Sequence, residues 1–121
     1  MGQTHEDLAT APRSRDGSVH VTDERINTIT HLVGSCLAVA GVALLVAQAS
    51  AQGDPWKIVA FSVYGASLVL LLVSSTLHHG LDRGERVNDV LRTMDYTSVF
   101  ALIAGTVTPV VLVLMRTTFG W

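Results

Sequence analysis

Long apolar runs alternate along this chain with short clusters of charge. No formal charge falls between Arg25 and Asp54, between Lys57 and Asp82, or between Asp95 and Arg116. A helix crossing a bilayer needs roughly 20 mostly apolar residues, and each of these gaps can supply them. The pattern predicts three transmembrane helices at about residues 27–49, 58–79 and 96–115. Stretches such as "AVAGVALLVA" and "ASLVLLLV" lack the polar face that would recur every 3.6 residues in a soluble bundle. The first connection, "SAQGDP", is short and turn-like, so the first two helices are expected to be antiparallel neighbours. Residues 23–121 thus read as one all-α integral membrane domain of three transmembrane helices.

Composition agrees with that class. The chain is 49% apolar and only 15% charged, whereas soluble domains carry about 25% charged residues. A net charge of −2 with no long basic block gives nothing for nucleic acid to bind. The single cysteine, Cys36, excludes an intrachain disulfide or a Cys-based zinc site and is expected to be an inert core residue. Residues 1–22 are polar and of mixed charge, and are expected to form a disordered cytoplasmic tail. The first apolar run starts too late and continues too long for a cleaved signal peptide, and Glu6 stands where a myristoylation signal needs Ser or Thr. Arg13, Arg15, Arg25, Arg83, Arg86 and Arg92 outweigh Lys57 and Arg116 on the other side, which predicts a multi-pass cell-membrane protein with a cytoplasmic N-terminus.

Polar residues within the spans gather at one depth. Glu24, Asn27 and His31 stand where the first helix enters; Ser75, His78 and His79 stand where the second returns; Asp95 stands where the third sets out. Three helix ends can assemble one polar site just below the membrane surface. Residues four apart on a helix lie about 40° from each other around its axis, so Ser75 and His79 share a face, as do Ser74 and His78, and Asn27 and His31. Adjacent His78 and His79 are about 100° apart, so one imidazole is expected to face the bundle and the other to lie along the membrane surface. A histidine with a hydroxyl one turn earlier suits a metal ligand oriented by its neighbours. The competing reading is that the serines bond back to their own helix and a boundary histidine meets headgroups.

Glu24, Asn27 and His31 in "ERINTITH", Ser75 and His79 in "STLHH", and "MDYTSVFALIAGTVTP" from Met94 to Pro109 resemble the first three membrane helices of the hemolysin III family. That family is similar to the adiponectin and progestin receptors and, more distantly, to the alkaline ceramidases. The resemblance covers about residues 22–121 and implies a bundle of seven helices with a zinc ion near the cytosolic side. It implies His79 as a zinc ligand, with His78 as the runner-up because "SSTLH" satisfies the same spacing. Asp95 is the implied partner of a zinc-bound water, and Ser75 completes the catalytic motif. Glu24, Asn27 and His31 match a polar motif that supports the site or packs the helices without ligating. The remaining ligands lie, by the same resemblance, on a seventh helix, and this chain stops at "MRTTFGW". It is expected to be an incomplete form, with zinc held weakly or not at all.

Zinc activates water and polarises a carbonyl, and a carboxylate such as Asp95 can take the proton. With membrane lipid as partner, the expected activity is hydrolysis of a lipid amide in the inner leaflet. A membrane-perturbing cytolysin or pore, and a sensor of membrane state with a structural metal, are the rival readings. Polarity confined to one end of the spans favours a local site over a channel. A homo-oligomer is compatible with the sequence. Pro109 is expected to kink the third helix, the small residues of "GASLVLLLVS" to pack helices, and Trp56 and Trp121 to sit at the outer interface.

Overall fold

A computed structural model describes residues 24–117. The tail over residues 1–22 and Trp121, on which expectations were set out above, lie outside the described residues. The chain forms α1 (Glu24–Ala51), α2 (Pro55–Gly80) and α3 (Glu85–Pro109), followed by a π-helical turn, Val110–Leu114, and a 3₁₀ turn, Met115–Thr117. Each of the three spans is long and apolar enough to cross a membrane.

Local chemistry sets the helix ends. At the first turn Gly53 adopts φ 67°, a left-handed conformation that costs glycine nothing and stops α1. The Asp54 carboxylate then accepts the backbone N–H groups of Trp56 at 3.0 Å and Lys57 at 3.4 Å, capping α2, with Pro55 in its first turn. At the opposite end Leu81–Gly84 links α2 to α3, and Gly84 at φ 92° reverses the chain. Asn88 steadies this link, accepting the Arg83 N–H at 3.2 Å and donating to Asp82 at 2.9 Å. Helix α3 therefore begins at Glu85, well before the uncharged span at Tyr96, so its first turns are charged. Pro109 ends the α-helix because it has no N–H to donate and its ring crowds the preceding turn. The ladder widens there, and Met115 N–H donates to the Val110 carbonyl. This delivers Arg116 to the Gly53 end, 3.9 Å from the Asp54 carboxylate and 5.2 Å from the centroid of the Trp56 ring.

Helix α2 is the middle of the assembly: it packs on both α1 and α3, which do not pack on each other. The seams are built from small residues. Ala38, Ala49, Ala60, Gly65, Ser67, Ser98 and Gly105 are buried, while Leu37, Phe100 and Leu114 are about 70% exposed. An outside of large apolar side chains over an inside of small ones is what lipid as solvent selects, because backbone approach, and not burial of apolar area, holds membrane helices together. A Cβ on Gly65 would fall on the Val42 side chain, and one on Gly105 on the Ser67 hydroxyl. Cys36 is exposed on α1. That corrects the expectation of a core cysteine: only the α2-facing side of α1 is covered, and Cys36 is not on it.

Candidate functional site

At the Leu81–Gly84 end α1 starts, α2 stops and α3 starts, and the polar residues of α1 and α2 meet there. Glu24, the first residue of α1, and His31, seven residues on, lie on the same side of that helix by its periodicity. This side meets the last turn of α2. The His79 Nδ1 lies 2.5 Å from Glu24 Oε2. The His31 and His79 rings stack with centroids 5.7 Å apart and planes within 7°. The helices are close here: a Cβ on Gly80 would lie 3.0 Å from the Thr28 methyl group. A groove of about 470 Å³ opens beside the pair, lined by Glu24, Arg25, Thr28, Ile29, His79 and Gly80. His79 and Glu24 side chains are 20% and 27% exposed, so the contact is reachable without being immersed in water.

His78 lies 5.0 Å from His79 between ring centroids, at 52°. Both rings are half-buried, so the division between a bundle-facing and a surface-facing imidazole is replaced by a division between seams. By register His78 falls with Ser74 and Ser67 on the α3 side of α2, and His79 on the α1 side. Ser75 is 4% exposed, one turn before His79. Ser74, 2% exposed, lines a second cleft of about 250 Å³ between α2 and α3 together with Thr97 and Ser98. Asp95 is half-buried on the α3 face that also carries buried Leu91 and Ser98. Several hydroxyls do bond back to their own helix: Thr28 to the Glu24 carbonyl at 2.6 Å, Ser35 to His31 at 2.8 Å and Ser98 to Asp95 at 2.7 Å.

The donors present suit one corner of a zinc site and not a whole one. Parallel rings 5.7 Å apart cannot aim their in-plane lone pairs at one ion. Among the described residues no group of three His, Cys, Asp or Glu is arranged to hold a metal. A lone imidazole ligand with a carboxylate on its other nitrogen is nevertheless the usual form of a zinc-binding histidine. Spacing within each helix brought out Asn27 with His31; the Glu24–His79 contact spans the two helices and was missed. The available signal was the seven-residue step from Glu24 to His31, two turns on one face.

Comparison with known proteins covers the same span. The family described as Haemolysin-III related matches residues 19–121. The chain is similar to the "Hemolysin-3 homolog" of Bacillus subtilis (strain 168), 36% identical over 101 residues, 84% of this chain and 47% of that protein. It is similar also to "Hemolysin-3" of Bacillus cereus, 38% identical over 101 residues, 84% of this chain and 46% of that one. The chain thus spans about half the length of these curated relatives. No solved structure matches it.

Proposed function

The chain belongs to the haemolysin III family, and from that premise we propose that it supplies the first half of a zinc-dependent lipid amide hydrolase acting at the inner leaflet. The observation that carries the reading is the gathering of His31, His78 and His79 at one helix-end level of a membrane bundle. Imidazoles are rare company in hydrocarbon and mark function when they cluster there. In this reading His79 is the ligand offered by α2, with His78 as the alternative, and the other ligands come from helices beyond these three. Bound zinc would supply an activated water and a polarised carbonyl. The Asp95 carboxylate takes a proton, Ser75 lines the approach one turn before His79, and the exposed apolar faces of α1 and α3 keep the reacting lipid in its own leaflet.

A cytolytic pore finds less support. Glu24 and His31 meet His79 at one end of the spans, and the remaining depth of α1 and α2 presents chiefly large apolar side chains outward. The test of the hydrolase reading is a form of the chain extended to seven helices, reconstituted with a fluorogenic long-chain lipid amide. Release of fatty acid that is lost in both His79→Ala and Asp95→Asn is expected. Equal release in those variants would overturn the reading.

The same reading requires the N-terminus and the Leu81–Gly84 link to be cytoplasmic, as the arginine distribution favours. In a Cys36→Ser background, a cysteine placed at Ser14 is expected to resist a membrane-impermeant maleimide in intact cells and to react after lysis. Labelling in intact cells would reverse the orientation.

A further inference from the structure

We propose that the cleft between α2 and α3 binds a neutral lipid through a free hydroxyl group, with Ser74 as the side chain that recognises it. Diacylglycerol is the simplest bilayer lipid of that chemistry. The inference stands apart from the zinc reading. Ser74 is 2% exposed and lines this cleft of about 250 Å³. Its hydroxyl takes part in no hydrogen bond among the described residues. Hydroxyls in helices commonly bond back to a carbonyl three or four residues earlier, as Ser67 does to Tyr64 at 2.8 Å and Thr76 to Leu72 at 2.7 Å on the same helix. Ser74 does not, and a buried polar group left without a partner is costly. The cleft is where a partner can enter.

The other walls specify that partner. Thr97 donates to the Thr93 carbonyl and Ser98 to the Asp95 carbonyl, each at 2.7 Å, so their protons are committed and their oxygens have only lone pairs left to offer. Ser74 can still donate. A group that accepts one hydrogen bond and donates another from a single atom is a hydroxyl. Leu70, Met94 and Ala101 supply apolar surface and no charged side chain lines the cleft, so a phosphate or a carboxylate would enter without a counter-charge. At roughly 30 Å³ per water-sized group the cleft takes about eight of them, enough for a glycerol hydroxyl and the start of its chains. Water alone would leave most of its molecules against apolar walls. The depth fits as well. Ser74 lies six residues before Gly80, the end of α2, about 9 Å along the axis, whereas the interfacial layer is about 5–7 Å thick on each side. A lipid with a charged head cannot bring its polar end so far down, and one carrying only a hydroxyl can.

The test reconstitutes the chain in phosphatidylcholine vesicles that contain a diacylglycerol with a photoreactive diazirine in its acyl chain. Cross-links are expected on residues 70–74 and 93–101, which border the cleft, and are located by peptide mass spectrometry. Unlabelled dioleoylglycerol should suppress them. Its acetyl ester, with the same chains and no hydroxyl, should need roughly 2- to 10-fold more to do so, the effect of one hydrogen bond. Ser74→Ala should lower the labelling by a like factor and erase the difference between the two competitors. Ser50→Ala, at an exposed hydroxyl bonded to the Val46 carbonyl, should change nothing. Equal competition by the two lipids in wild type overturns the inference, even if Ser74→Ala disturbs the seam, and so does a preference for the hydroxyl that Ser74→Ala leaves intact. Cross-links that fall elsewhere overturn it too, the cleft then holding only water or bulk acyl chains.

Discussion

Gly105→Leu is expected to open the seam between α2 and α3, while Gly41→Leu leaves the molecule unchanged. At Gly105 an added Cβ would fall on the Ser67 hydroxyl and lie 2.8 Å from the Ser67 Cβ, which no serine rotamer can move aside, so the helices themselves must shift. At Gly41 nothing lies within 4 Å of an added Cβ. Overpacking a seam of this kind costs about 1–3 kcal/mol, and in lipid no gain of buried apolar area offsets it. Disulfide formation between cysteines at Ser74 and Ser98, which line the same cleft, measures the seam in a Cys36→Ser background. Cross-linking should fall sharply in Gly105→Leu and persist in Gly41→Leu. Equal cross-linking in both would show that α3 is held by something other than close approach at Gly105.

The consequence extends to the site. Asp95 lies on the α3 face that carries buried Leu91 and Ser98, so a helix pushed away at Gly105 moves that carboxylate relative to Ser75 and His78. The Glu24–His79 contact lies on the other seam, and is expected to survive Gly105→Leu. The two seams of α2 are therefore separable by mutation.

How far this arrangement can be read from the amino-acid sequence depends on what sets each feature. The three spans follow from the uncharged runs, because in lipid a helix must satisfy its own backbone and the sequence advertises this by composition alone. The turn at Gly53 and Asp54 is equally local. The start of α3 at Glu85 was hidden, since Glu85, Arg86, Asp89 and Arg92 read as loop charge although they lie on a continuous helix. Pro109 was expected to kink a helix running on to about residue 115, whereas the α-helix ends there, and the π turn that carries Arg116 to Asp54 had no sequence signal. At the site, the shared helix-end position of Glu24 and His79 was legible from topology. The pairing of Glu24 with His79 and the sorting of His78 and His79 to different seams were not, because both depend on the rotation of α2 about its axis. An apolar helix that faces lipid on one side and helices on two others gives little sequence signal for that rotation. Cys36 was misplaced for the same reason.

Zinc content is the second large effect and the most direct test of the site. Structural and catalytic zinc takes four ligands, or three with a water. The described helices offer His79 with its Nδ1 engaged by Glu24, and no group of three donors arranged around one point. Open coordination positions fill with water and headgroups, so the ion should leave readily. Purified in detergent without chelator, the chain is expected to carry well under one equivalent of zinc, and His79→Ala less still. A form extended to seven helices should carry about one equivalent, the stoichiometry of a completed mononuclear site, and should lose it in His79→Ala. Metal analysis of these proteins side by side decides the matter. One tightly held equivalent in the 121-residue chain, or full zinc in the His79→Ala form of the extended protein, would contradict the account.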